Sequence, residues 1–151
     1  MQGGKNMNIQ QISVFLENRP GTMAAFTKLL QKNEIDLRAL SLAETENFGI
    51  VRVITDDPMR TVQVLKDEGY ICSLTPVIAV AIEDKPGALV DLLDTMGDAG
   101  INLEYTYAFL AKKANSACIA FRVTDNEAAS KLLAERGIKT LGQEDLPALF
   151  E

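Results

Sequence analysis

The segment "ENRPGTMAAF", Glu17 to Phe26, has a near copy in "EDKPGALVDL", Glu83 to Leu92. In both, an acidic residue, Asn or Asp, a basic residue and Pro-Gly lead into an apolar run. Pro fixes φ and Gly relieves a tight bend, so each segment reads as a turn from an extended stretch into a helix. Aligning Glu17 with Glu83 extends the match. "NEIDLRAL", Asn33 to Leu40, falls on "AGINLEYT", Ala99 to Thr106. After a three-residue insertion, "IVRVITDD", Ile50 to Asp57, falls on "IAFRVTDN", Ile119 to Asn126. "LKDEGY", Leu65 to Tyr70, then answers "LAERGI", Leu133 to Ile138. Self-similarity of this extent marks two copies of one unit, which we place at residues 7–75 and 76–144.

Periodicity gives the elements of a unit. Ile12, Val14 and Leu16 alternate with Gln11, Ser13 and Phe15, a strand pattern, and Val77 to Ile82 is the apolar counterpart. Leu89, Leu92, Leu93 and Met96 form one helical stripe, nearly repeated by Met23, Phe26, Leu29 and Leu30. The β-rich runs Ile35 to Leu42 and Phe48 to Thr55 predict a hairpin, as do Ile101 to Leu110 and Ser116 to Thr124. Asp57 before Pro58 predicts a capped second helix that stops at Gly69; Asp125 and Gly137 repeat the scheme. Short last strands are expected at Tyr70 to Leu74 and Ile138 to Leu141. The order βαββαβ, twice, predicts an α+β fold: two ferredoxin-like sandwiches, each an antiparallel sheet with its helices on one face and the first and third strands central.

Pro-Gly after a strand, an apolar helix, and then "IDL" or "INL" opening the next strand resembles the ACT domain, and the resemblance covers nearly the whole chain. It implies a tandem, stand-alone regulatory module of amino-acid metabolism that binds a free amino acid where two such domains meet, without catalysis and without a cofactor. It further implies ligand contacts from Asn18, Arg19, Pro20, Gly21, Thr22, Met23, Asp36 and Leu37, and from Asp84, Lys85, Pro86, Gly87, Ala88, Leu89, Asn102 and Leu103. Elementary chemistry agrees. A Gly admits a ligand close to the backbone, the first helical N–H groups can hold a carboxylate, and Asp36 or Asp84 can receive an ammonium group. The plainer reading, that both turns are only connections between elements, stays open. The copies differ at Thr22/Ala88 and Asp36/Asn102, so their sites should differ in affinity.

Composition limits the alternatives. The 151 residues are 47% hydrophobic and 24% charged, a globular balance. A net charge of -6, with Lys112-Lys113 as the longest basic run, disfavours nucleic acid as a partner. No run of about 20 apolar residues predicts a membrane span, so the expectation is a cytoplasmic protein. Histidine is absent, and Cys72 and Cys118 stand apart among strand residues, a pattern of buried thiols rather than a metal site. Two rival functions remain: a regulatory subunit of an amino-acid-metabolism enzyme whose pockets are vestigial, and an acylphosphatase-like enzyme using Arg19. Tyr105 and Tyr107 are expected to share a strand face with Ile101 and Leu103, and the Glu44/Glu46 and Lys112/Lys113 hairpins to be solvated turns.

Edge-to-edge pairing of the two units through their second strands would separate the chain ends to be joined by roughly 29 Å. Thr75 and Pro76, at about 3.5 Å each, cannot span that. Two arrangements remain, packing of the sheets by their faces or a turn at Thr75–Pro76 that exchanges final strands between units; the exchange is the preferred expectation, and it leaves second-strand edges free to form a homodimer.

Overall fold

The computed structural model describes residues 8–110 and 116–149; Met7, Lys112 and Lys113 lie outside them. Contacts divide the chain into two compact units, Gln10–Thr75 and the residues from Pro76 onward with Asn8 and Ile9.

The first unit holds β1 (Asn8–Glu17) from Gln10 onward, α1 (Thr22–Lys32), β2 (Ala39–Glu44), β3 (Phe48–Ile54), α2 (Pro58–Asp67) and the start of β4 (Cys72–Glu83). β3 is central, antiparallel to β1 through Val14↔Val51 and to β2 through Leu42↔Val51. The residues that alternate on one face, Ile12, Val14, Leu16, Val51 and Val53, meet Phe26 and Leu30 of α1 and Val62 and Leu65 of α2 in one core. The Phe26 ring meets Tyr70 edge-on, with centroids 5.8 Å apart. The strand period of two and the helix period near four thus converge on a single buried layer, as the duplicated pattern requires.

The second unit repeats this with the rest of β4, α3 (Ala88–Asp98), β5 (Leu103–Ala108), β6 (Ser116–Val123), α4 (Asn126–Glu135) and β7 (Thr140–Leu141). Its core joins Ile78, Val80, Ile119, Phe121 and Val123 to Leu92, Met96, Ala129 and Leu133. A 3-10 turn at Gln143–Asp145 and the short α5 (Leu146–Leu149) follow, and Leu146 is fully buried.

The two units are therefore tandem ferredoxin-like sandwiches. Four details differ from the sequence reading. Final strands are not exchanged: β7 pairs with β4 of its own unit through Ala79↔Leu141, and Phe15 N–H donates to Ile71 O (3.0 Å) within the first. A two-residue hairpin needs positive φ, which Thr75 and Pro76 do not adopt, so the chain runs straight through them as β4. The insertion between copies is two residues, since Val14↔Val51 is matched by Val80↔Ile119 and the cap Asp57 by Asp125. A one-residue slip would turn the core face of β6 outward. A bulge at Glu104 separates the pairs Leu103↔Val123 and Tyr105↔Arg122, so Tyr105 and Tyr107 lie on the face opposite Leu103 and stack on each other at 6.4 Å. Lastly, β2 starts at Ala39 rather than Ile35; just before it, Arg38 donates its N–H to Ile54 O (2.7 Å) and its guanidinium makes a two-pronged pair with Asp56 (2.9 and 2.7 Å).

The candidate ligand-binding turns

The four principal helices start in two ways. At α2 and α4 an aspartate caps the helix: Asp57 accepts from Arg60 N–H (3.1 Å) and Asp125 from Ala128 N–H (3.0 Å). At α1 and α3 the cap position is Gly21 or Gly87, left-handed at φ 89° and 91°, with no capping side chain. A left-handed Cβ would be strained there, which explains the glycine. The backbone closes only part of the first turn: Gly21 O accepts from Ala25 N–H and Gly87 O from Asp91 N–H, both at 3.0 Å. The N–H groups of Met23, Ala24, Leu89 and Val90 have no acceptor among the described residues. Both Pro-Gly turns therefore present free donors at the positive end of a helix, where an anion is stabilised.

In the first unit the turn borders a cavity of about 300 Å³. Its polar lining is Glu17, Asn18, Arg19, Thr22 and Glu44, and its apolar lining is Leu16, Met23 and Leu42, with Gly49 between. Asn18 ties the turn to the β2–β3 hairpin: its amide donates to Glu44 Oε2 and Thr45 O, each at 3.2 Å, and its N–H to Asn47 O at 3.1 Å. The Thr22 hydroxyl points back to the carbonyls of Glu17 (2.9 Å) and Arg19 (3.1 Å), so its proton holds the turn closed rather than facing a ligand. Arg19 pairs with Glu17 at 2.7 Å, with both side chains exposed. Glu44, which sequence reasoning placed in a solvated turn, supplies a carboxylate to the cavity wall. Its signal was its position on the edge strand, opposite Gly49.

The second turn keeps the backbone and changes the side chains. Lys85 pairs with Glu83 at 3.0 Å, and that carboxylate pushes the lysine pKa up. The strand registers place Ala108 where the first unit has Leu42, and Ala117 where it has Gly49. Carrying the same register two residues further puts Leu110 in the place of Glu44.

The remaining sequence candidates lie elsewhere. Asp36 and Leu37 precede β2 at the end away from Glu44, five residues or about 17 Å along the strand. Asp36 is exposed beside Arg38, whose pKa is raised by its bond to Asp56 and by Asp36, and Leu37 packs on the core. Asn102 and Leu103 stand at the same far end of β5: Asn102 O accepts from Thr124 N–H (3.3 Å) and Leu103 packs on the second core. Within a unit, then, Asn18 to Met23 come together with Glu44, and Asp84 to Leu89 share the second turn, while neither group reaches Asp36, Leu37, Asn102 or Leu103. Both cysteines are free thiols, raised in pKa by burial, and among the described residues no three metal-ligating side chains converge. Among those residues no helix is long and apolar enough to cross a membrane.

Comparison with known proteins agrees with the fold. The sequence profile of the ACT domain pair matches residues 7–150. The crystal structure of protein BT0572 from Bacteroides thetaiotaomicron is 34% identical, with 93% of this chain and 96% of that one covered and a TM-score of 0.86. The ligand-free regulatory subunit of aspartate kinase from Thermus thermophilus shares the fold at 15% identity, covering 87% and 95% of the two chains with a TM-score of 0.64. The corresponding subunit from Thermus flavus gives 15% identity, 84% and 89% coverage and a TM-score of 0.60. No curated protein sequence matches. On the profile match and the Bacteroides likeness, the chain belongs to the ACT domain pair family.

Proposed function

We propose that the protein is a non-catalytic regulatory module that binds a free amino acid at the Gly21 turn. The observation that carries this reading is the uncapped start of α1, opening on a cavity that Glu44 of the facing hairpin also lines. The ligand carboxylate sits on the N–H groups of Met23 and Ala24, and its ammonium group meets Glu44, which keeps accepting positions beyond its bond from Asn18. Glu44 thus takes the role that the sequence suggested for Asp36. Asp36 and Leu37 contribute only if a second copy brings them to the turn. Both edge strands allow that, since β2 and β5 each pair along one side. A homodimer joined at these edges is part of the proposal, in the cytoplasm and with an enzyme of amino-acid metabolism as the regulated partner. The Thermus relatives are regulatory subunits of aspartate kinase, which supports a regulatory role here.

A specific observation favours the vestigial reading for one copy. Ala88, Leu110 and Ala117 replace Thr22, Glu44 and Gly49, so the second turn keeps the anion cradle and lacks a counterpart of the Glu44 carboxylate. The acylphosphatase-like alternative is weakened because the Arg19 guanidinium is engaged by Glu17. A thermal-shift panel over the free amino acids tests the proposal. A specific ligand at 100 times its Kd stabilises the fold by about 2.7 kcal/mol. The proposal fails if no amino acid raises the Tm.

A further inference from the structure

We infer that the ligand of the Gly21 turn carries an aliphatic side chain, as in valine, leucine, isoleucine or methionine. This rests on the proposed amino-acid site and adds the class of ligand. The polar groups of the cavity are concentrated at the turn and its hairpin, where they bind one another: Glu17 with Arg19, Asn18 with Glu44, and Thr22 with two carbonyls. The rest of the lining offers no side-chain donor or acceptor. Leu42 is 54% exposed although it lies on the same sheet face as the buried Val51, and Leu16 and Met23 flank the same space. A polar ligand side chain placed there would lose its water without gaining a partner, whereas each buried methylene tightens binding roughly fourfold.

Gly49 leaves room beside Leu42. A Cβ at that position would stand 3.3 Å from Leu42 Cδ1, so the leucine would have to give way slightly, and a larger side chain would fill the space beside it. In the second unit the equivalent position is Ala117, and Ala108 removes the leucine that forms the wall. The apolar slot is thus particular to the first copy. A cavity of about 300 Å³ is at the small end of ligand pockets and suits a single amino acid.

The test is isothermal titration of the full chain with glycine, alanine, valine and leucine, and with threonine, aspartate and lysine. Affinity should rise with each added methylene. Valine should bind about tenfold or more tightly than its isostere threonine. Leu42→Ser, at an exposed position, should weaken leucine about tenfold and leave glycine unchanged; Gly49→Val should block leucine. If threonine, aspartate or lysine binds best and Gly21→Val abolishes that binding, the aliphatic assignment falls and the amino-acid site stands. If leucine binds but ignores both Gly21→Val and Leu42→Ser, it binds elsewhere and the assignment falls. If none of the seven binds, the inference falls; if the wider panel is also silent, the proposed function falls with it.

Discussion

The turns at Glu17–Met23 and Glu83–Leu89 share a backbone and differ in what surrounds it. Gly21 and Gly87 have φ within a few degrees of each other, and the same acid–base pair flanks each turn. The facing hairpin is where they part, with Leu42, Glu44 and Gly49 in one copy against Ala108, Leu110 and Ala117 in the other. The groove on the other side of the turn has diverged too. Where the first unit lines it with Phe15, Ala25 and Ile71, the second has Ala81, Asp91 and Lys139. The lesson is that the turn geometry belongs to the fold, while binding depends on a few positions across the sheet. Duplication preserved the geometry and left those positions free to change.

The cores offer the largest break in this comparison. Phe26 and Leu92 occupy the same place in α1 and α3 and are both buried. Phe26→Ala should cost about 3–5 kcal/mol and Leu92→Ala about 2–5, read as shifts in the urea midpoint. If Phe26→Ala costs under about 1 kcal/mol, the edge-on packing against Tyr70 is not the core of the first unit. The helix starts give a smaller effect. Asp57→Ala and Asp125→Ala should each cost about 1 kcal/mol, because each removes a cap that α1 and α3 lack by design of the turn. The smallest effect is at the other end of the first helix of each unit, where Glu34 holds φ 57° in the place that Gly100 holds at 74°. Glu34→Gly should stabilise the protein by roughly 0.5–1 kcal/mol, and a loss of stability would show that the Glu34 side chain contributes more than its backbone strain costs.

Much of this was legible in the sequence because the copies check one another. Asp57-Pro58 and Asp125 announced the capped helices, and the paired Pro-Gly turns announced the uncapped ones. What was hidden depends on register. Residue identity favours a three-residue insertion, through Ile50/Ile119, Thr55/Thr124 and Asp56/Asp125, and only strand pairing shows that Val51 matches Ile119. The bulge at Glu104, which turns Tyr105 away from Leu103, leaves no glycine to mark it. The absence of exchange could have been foreseen, because Thr75-Pro76 offers no residue suited to a tight hairpin. The cavity could not. Glu44 and Gly49 reach the Gly21 turn through pairing between β1, β3 and β2, which local pattern does not specify.

The central claim is that the two turns, alike in backbone, are unlike in binding. The most direct measurement is a ¹H–¹⁵N correlation spectrum of the full chain during titration with the amino acid that stabilises it most. The account predicts saturable shifts at the amides of Gly21, Met23 and Ala24, lost in Gly21→Val and retained in Gly87→Val. Equal shifts at Gly87, Leu89 and Val90, or shifts at neither turn, would contradict it.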